Sequence, residues 1–206
     1  MFQWLIEFDQ KAFLYLNGLH SPELDKIMYW ISSNTFWIPL YIVLLCMVIY
    51  HGRPYRFIMT ILFIVIAVTL SDRISVLIKY LVERPRPTHN FEIAEMVHTV
   101  NNYTGGMYGF VSSHAANVFC VATFLSYQFK HYKWGLFLFF WATLVAYSRI
   151  YLGVHYPLDI ICGAVLGALF GTQSYAYKVK TEVNIERRIE IRKEKKEEKQ
   201  QKAEKI

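Results

Sequence analysis

Residues 57–82 read FIMTILFIVIAVTLSDRISVLIKYLV, and this apolar stretch decides the fold. An α-helix rises about 1.5 Å per residue, so about 20 residues cross a hydrocarbon core of about 30 Å. Asp72 and Arg73 interrupt the stretch, and Lys79 lies near its end. Charges inside a spanning segment are costly and face the interior of a bundle. The stretch therefore predicts a membrane-spanning helix that turns polar residues towards other helices.

Four further apolar runs accompany it, at residues 35–50, 111–129, 134–151 and 158–177. The first of these is short, so either residues 27–31 extend it or the bilayer thins around it. Spanning segments in lipid must satisfy their backbone hydrogen bonds internally, as helices do. We therefore predict an all-α integral membrane bundle over residues 35–178. It has five or six helices, depending on whether the N-terminal helix also inserts.

Residues 1–34 form a separate N-terminal segment. Apolar residues recur in it at helical spacing, at Met1, Leu5, Phe8, Ala12, Leu16 and Leu19. This periodicity predicts an amphipathic helix that either lies at the membrane interface or packs on the bundle. Glu7, Asp9 and Lys11 interrupt any apolar core, which argues against a signal peptide.

The charge of the chain lies mostly in its tail. Residues 178–206 hold 11 of the 22 Lys and Arg residues and 7 of the 16 Asp and Glu residues. Acids alternate with bases there, so the net charge of +6 does not indicate a nucleic-acid partner. Residues 179–206 are expected to form a cytoplasmic tail, either a solvated helix supported by Glu/Lys pairs or a disordered segment, and we favour disorder.

Basic residues in short loops predict the orientation, because such loops stay in the cytoplasm. Five spans place the tail on one side together with the loops that carry Arg53, Arg56, Lys130 and Lys133. Residues 83–110 and 153–157 then face outward, at a bacterial inner membrane. Arg84 and Arg86 break the rule, which points to a function for this outer loop.

Polar residues that could bind a ligand or catalyse a reaction lie near the outward-facing helix ends. They are Lys79, Arg86, Ser112, Ser113, His114, Arg149, His155 and Asp159. Three permanent positive charges with hydroxyl and backbone donors suit a phosphate group and its pentavalent transition state. A serine pair at a helix start adds backbone N–H groups. Two histidines can divide the remaining work, one attacking phosphorus and the other donating a proton to the leaving oxygen.

Asp159 follows His155 by four residues, which is one helical turn. A carboxylate at that spacing can fix the imidazole tautomer and stabilise the charge that develops on attack. No cysteine and histidine spacing typical of a metal site occurs in the sequence, and no cofactor is expected. The charges gather at one face instead of forming a path across the membrane, which argues against a transporter.

Three motifs together resemble the type 2 phosphatidic acid phosphatase superfamily, in its membrane-bound lipid phosphatase branch. They are Lys79-x6-Arg86-Pro87, Ser112-Ser113-His114 and Ser148-Arg149-x5-His155-x3-Asp159. The second motif departs from the usual Pro-Ser-Gly-His, with Val111 at the proline position and Ser113 at the glycine position. The superfamily also contains vanadium haloperoxidases, but those enzymes are generally soluble.

The resemblance implies a role for each residue. Lys79, Arg86 and Arg149 hold phosphate oxygens, together with Ser112 and the backbone of Ser113. His114 is the general acid, His155 forms a phosphohistidine and Asp159 orients His155. It also implies an all-helical bundle and a reaction that needs no metal.

The implied substrate is a phosphomonoester or diphosphate of a membrane lipid, with undecaprenyl diphosphate as the first choice. Lipid A phosphates, phosphatidylglycerophosphate and phosphatidic acid are the alternatives, and an inactive membrane scaffold is the alternative from another class. Two neighbouring features have open roles. Asp72 either supports the site from behind, or forms an ion pair inside the bundle or meets a partner across it. Gly105, Gly106 and Gly109 suggest a mobile loop over the site.

Overall fold

The computed structural model describes residues 3–50 and 54–203, and within them all regular elements are helical. The seven α-helices are α1 (Gln3–Asn17), α2 (Pro22–Ser32), α3 (Ile38–Tyr50), α4 (Pro54–Val82), α5 (Ser113–Phe129), α6 (Tyr132–Tyr151) and α7 (Pro157–Ala203). Met1, Arg53 and the last three residues of the tail, about which the sequence made predictions, lie outside the described residues. The prediction of an all-α bundle is confirmed.

The five apolar runs correspond to α3 through α7, but the N-terminal segment holds two helices instead of one. Residues 27–31 belong to α2 and do not continue directly into α3. Ser33 has an extended backbone that ends α2, and the 3₁₀ helix Asn34–Trp37 follows it. The chain bends by 71° between Pro22–Ser32 and Asn34–Tyr50.

Two of the described helical stretches, Pro54–Val82 and Pro157–Glu198, are each long and apolar enough to cross a membrane. The bent pair formed by α2 and the segment that contains α3 makes a third candidate. Helix α5 has only 17 residues, or about 26 Å of rise. It packs against α4, α6 and α7, so protein covers much of its surface. The count of five spans therefore remains a prediction.

Helices α5 and α7 touch along their backbones. Gly163, Gly167 and Gly171 recur every four residues on α7 and face α5. A Cβ atom at Gly167 would lie 2.0 Å from the Ala116 carbonyl oxygen, so only glycine fits there. Small residues permit this close approach between membrane helices. The backbone N–H of Ser112 also donates to the Asp159 carbonyl at 3.0 Å, which places the starts of α5 and α7 side by side.

Helix α1 packs on α6 and α7 through Asp9, Phe13 and Asn17. Asn17 donates to the carbonyl oxygens of Ile150 and Tyr151, at 3.2 and 2.9 Å. The predicted apolar series does not form the buried face, since Phe8 is 65% and Leu19 50% exposed. Trp4, Ile6 and Tyr15 are also exposed, so α1 is packed on the bundle and still presents apolar side chains outward.

The tail is helical through Ala203, so the expectation of disorder is wrong. Its helix needs no separate nucleation, because it continues a helix that the bundle already orders. Glu186 on this extension pairs with Arg56 at 2.5 Å, and Lys178 pairs with Glu182 at 3.1 Å. About 32 Å of helix separates Pro157 from Lys178, so these contacts lie at the opposite end of the bundle from the starts of α5 and α7.

Candidate active site

Helix ends from four parts of the chain meet around one cavity of about 400 Å³. The end of α4, the start of α5, the end of α6 and the loop before α7 all contribute to it. Six of the eight predicted site residues line this cavity: Lys79, Arg86, Ser113, His114, Arg149 and His155. The remaining two, Ser112 and Asp159, lie directly behind it and are fully buried.

His155 and Asp159 form a buried pair at the start of α7. His155 Nδ1 lies 3.4 Å from Asp159 Oδ2, and the side chains are 2% and 0% exposed. The backbone N–H of Tyr156 donates to the same carboxylate oxygen at 3.0 Å. Because α7 begins at Pro157, one turn of helix turns the carboxylate back towards the imidazole.

The other imidazole nitrogen faces a cation. Arg86 Nη1 lies 3.4 Å from His155 Nε2, and a guanidinium can only donate. Nε2 is therefore the unprotonated nitrogen, and Nδ1 carries the proton towards Asp159. Burial lowers the pKa of His155 well below its usual range, and the nearby charges of Arg86, Arg149 and Lys79 lower it further. This direction favours the neutral ring, which is the form that the predicted nucleophile requires.

Neutral acceptors hold each of the three cations in place. Lys79 Nζ donates to the Val111 carbonyl at 2.5 Å and to Ser113 Oγ at 2.6 Å. Arg86 donates to the carbonyl oxygens of Tyr108 and Val154, at 3.2 and 3.3 Å. Arg149 donates to the hydroxyl of Ser32 and, at 3.0 Å, to that of Tyr103. Their positive charge is thus free to act on an anion.

The two serines of the second motif occupy different places. Ser112 Oγ accepts from the Ala115 N–H at 3.4 Å and caps α5, so its hydroxyl does not reach the cavity. The hydroxyl that lines the cavity belongs to Ser113, which also accepts from Ser75 at 2.7 Å. The residue at the usual glycine position therefore contributes its side chain to the Lys79 contacts.

His114 lies in the first turn of α5 and borders three cavities. Besides the central one, a polar cavity of about 230 Å³ is lined by Tyr29, Ser32, Ser33, Asn34 and Tyr103. A more apolar one of about 480 Å³ runs along Tyr41, Val68, Val118, Val121 and Trp141. A proton donor at this junction can reach a leaving group that extends into either space.

Comparison with known proteins agrees with this geometry. The family model of the PAP2 superfamily matches residues 57–182, which run from the first turn of α4 into the beginning of the tail. The chain belongs to the PAP2 superfamily. The resemblance in its three motifs is thereby confirmed, and the chain is a membrane lipid phosphatase, a phosphoric ester hydrolase.

Several PAP2 proteins are similar over most of the chain. The lipid A 4'-phosphatase of Bacteroides thetaiotaomicron is 33% identical, with 85% of this chain and 79% of that protein covered. The lipid A 4'-phosphatase of Porphyromonas gingivalis is 35% identical, with 86% and 75% covered. The crystal structure of Aquifex aeolicus LpxE superposes with a TM-score of 0.62 at 29% identity, covering 81% of this chain and 94% of the other.

Three parts of this PAP2 site escaped prediction from sequence. Arg84 was expected to matter only because it breaks the charge rule, and it donates to Asp159 Oδ1 at 2.9 Å. Asp9 of α1 binds Arg84 in turn, at 2.7 Å. Asp9, Phe13 and Asn17 lie four residues apart, and this helical spacing was the sequence signal that could have indicated a shared buried face. Tyr103 was assigned only to a loop, and it binds Arg149.

The glycine loop is anchored at its base, and the predicted mobility of Gly105 and Gly106 stays a prediction. Residues Pro85 and Tyr108 form an antiparallel bridge, and the N–H of Gly109 donates to the Arg84 carbonyl at 2.9 Å. Asp72 accepts from Asn117 at 3.2 Å, one turn beyond His114. Asn117 lies on α5, so it is a partner of Asp72 across the bundle, and support of the site by Asp72 stays a prediction.

Gly109→Ala tests the close approach of this loop. The new Cβ atom would lie 2.9 Å from Asp159 Oδ2, and that carboxylate is already held by Arg84 and by the Tyr156 N–H. We expect kcat to fall by up to about 100-fold, because small displacements of catalytic groups are that costly. Gly106→Ala is the control, since its Cβ would meet no atom within 4 Å. Equal kcat for the two variants would contradict the assigned role of Gly109.

Proposed function

We propose that this PAP2 phosphatase removes the 4'-phosphate of lipid A through a phosphohistidine at His155. The observation that carries the mechanism is the buried His155–Asp159 pair, whose free nitrogen opens onto a cavity lined by Lys79, Arg86 and Arg149. The observation that supports the substrate is the pair of lipid A 4'-phosphatases that resemble most of the chain. These relatives favour lipid A over the undecaprenyl diphosphate that was the first choice from sequence.

In the proposed reaction, His155 Nε2 attacks phosphorus while the three cations hold the phosphate oxygens. Positive charge develops on the imidazole and is stabilised by Asp159 through Nδ1–H. His114 donates a proton to the departing sugar oxygen. Water then attacks the phosphohistidine with His114 as the general base, which releases phosphate and restores both histidines.

The spaces around His114 suit a glycolipid leaving group. The polar cavity beside Ser32, Ser33 and Asn34 can take a sugar, and the apolar cavity towards Trp141 can take part of an acyl chain. An inactive scaffold is less well supported, because a scaffold does not require a neutral buried histidine between a carboxylate and three cations.

A substrate panel tests the proposed function. Purified protein in detergent is given lipid A, lipid A lacking either phosphate, undecaprenyl diphosphate and phosphatidylglycerophosphate, and released phosphate is measured. We expect phosphate release from lipids that carry the 4'-phosphate, and mass spectrometry of the product should show that the 1-phosphate remains. Activity should be unchanged in excess EDTA. His155→Ala is the inactive control. Faster turnover of undecaprenyl diphosphate or phosphatidylglycerophosphate would overturn the lipid assignment, and loss of activity in EDTA would overturn the metal-free mechanism.

The two histidines are separable by leaving group. General acid catalysis contributes about 10²–10⁴-fold and matters most when the leaving oxygen is strongly basic. His114→Ala should therefore be severely impaired on a lipid phosphomonoester and much less impaired on p-nitrophenyl phosphate. His155→Ala should be inactive on both, because it removes the covalent route. The opposite pattern would reverse the two roles, and near-normal activity of both variants would exclude the histidine mechanism.

We also propose that the site faces outward from a bacterial inner membrane, with the tail in the cytoplasm. Arg56 and the helical tail lie at the end of the bundle opposite the site, and basic segments stay in the cytoplasm. In a background without the three native cysteines, Thr104→Cys should react with an impermeant maleimide in intact spheroplasts. Glu194→Cys should react only after lysis. The reverse labelling would invert the topology.

A further inference from the structure

A buried chain of three charged residues links α1 to the catalytic pair. Arg84 donates to Asp159 Oδ1 at 2.9 Å with one guanidinium nitrogen and to Asp9 Oδ2 at 2.7 Å with another. The side chains of Asp9 and Asp159 are 2% and 0% exposed, and that of Arg84 is 18% exposed. Two carboxylates therefore share one cation beneath the cavity.

Arg84 is held in a fixed position between them. Its guanidinium lies 4.0 Å from the centre of the Tyr156 ring, and the Tyr156 hydroxyl accepts from Asn90 at 3.0 Å. The backbone carbonyl oxygen of Arg84 accepts a hydrogen bond from the N–H of Gly109. A planar guanidinium that stacks on an aromatic ring loses little further freedom when it binds two carboxylates.

Asp9 also contacts the helix that carries Asp159. Its Oδ1 accepts from the backbone N–H of Leu158 at 3.0 Å, in the first turn of α7. A carboxylate at that position accepts a hydrogen bond from a backbone N–H that has no partner within the helix. Its negative charge is also attracted to the partial positive charge at the helix N-terminus. Asp9 thus holds Asp159 in two ways, through Arg84 and through the start of α7.

The charge balance explains why a second carboxylate is useful. Arg84 paired with Asp159 alone would neutralise the charge that must stabilise the imidazolium of His155. With Asp9 sharing the guanidinium, the ionised forms of the three residues sum to a net charge of −1 beside Nδ1. We infer that Asp9 is a positioning residue for the phosphoryl transfer, which orients Arg84 so that Asp159 stays aligned on His155.

This inference rests on the proposed histidine mechanism but not on the identity of the lipid. A purely structural role for Asp9 would be to anchor α1. Asn17 serves that anchoring without touching Arg84, because it binds the carbonyl oxygens of Ile150 and Tyr151. The two residues therefore provide a matched comparison on one helix.

The experiment measures hydrolysis of p-nitrophenyl phosphate, inhibition by orthovanadate and thermal unfolding of the full chain in detergent. Asp9→Asn keeps the size and the acceptor for Leu158 but removes the charge. We expect its kcat to fall by about tenfold or more, the scale seen when a residue that orients an active-site group is lost. KM and the vanadate inhibition constant should stay within about twofold of the wild type, because the phosphate-binding cations are untouched.

Three further variants decide between positioning and anchoring. Asn17→Ala should lower the unfolding temperature at least as much as Asp9→Asn yet keep kcat near the wild-type value. Glu7→Gln, at an exposed position of α1, should change neither quantity. Asp9→Asn combined with Arg84→Gln should be no slower than Arg84→Gln alone, because Asp9 acts through Arg84.

Several results would overturn the inference. They are an unchanged kcat in Asp9→Asn, kcat losses that multiply in the double variant, or an Asn17→Ala variant as slow as Asp9→Asn. Failure of the proposed lipid assignment is seen separately in the lipid panel, because p-nitrophenyl phosphate does not report on it. Failure of the histidine mechanism is seen separately as activity in His155→Ala.

Discussion

Asp159 is a fully buried carboxylate, and a carboxylate leaves water only where other groups satisfy its charge and its lone pairs. Much of the structure around the starts of α5 and α7 follows from that requirement. Arg84 supplies the opposite charge, Tyr156 a backbone N–H, and His155 a ring N–H. The loop after α4 must therefore return across the start of α7, and α1 must lie against both to satisfy Arg84. A single acid thus brings together three segments that are distant in sequence.

The close contact of α5 with α7 determines where that acid lies relative to the phosphate site. Gly167 lets the two helices touch, and the bond from Ser112 N to the Asp159 carbonyl aligns their first turns. His114 and His155 consequently face the same cavity from adjacent helix starts. A larger residue on this seam of α7 would move apart His114 and His155, the proposed proton donor and nucleophile, without changing either one.

Much of this arrangement was predictable because it depends on local sequence. Apolar runs predict helices, and polar residues at the ends of these helices are expected to lie at one depth of the membrane. The positions of Lys79, Arg149 and His155 were therefore predictable from the sequence. The role of Asp9 did not, because an acid on an amphipathic helix ordinarily faces water, and only tertiary packing reveals that the Asp9 face is buried. The tail was misjudged for a related reason. Its composition alone favours disorder, but a helix already ordered by the bundle continues into it with no nucleation cost.

Two groups of charges lie close together in the site and have opposite requirements. Lys79, Arg86 and Arg149 bind carbonyl and hydroxyl oxygens, which position them without cancelling their charge. A carboxylate among them would compete with the phosphate of the substrate. The acids are instead gathered on the far side of His155, where Arg84 holds them away from the cavity. In the proposed mechanism, the imidazole lies between a cationic face that binds the phosphate and an anionic face that stabilises the ring as it becomes positive. That polarity directs the attack, since it favours charge movement from Nε2 to phosphorus and keeps the counterion behind the nucleophile.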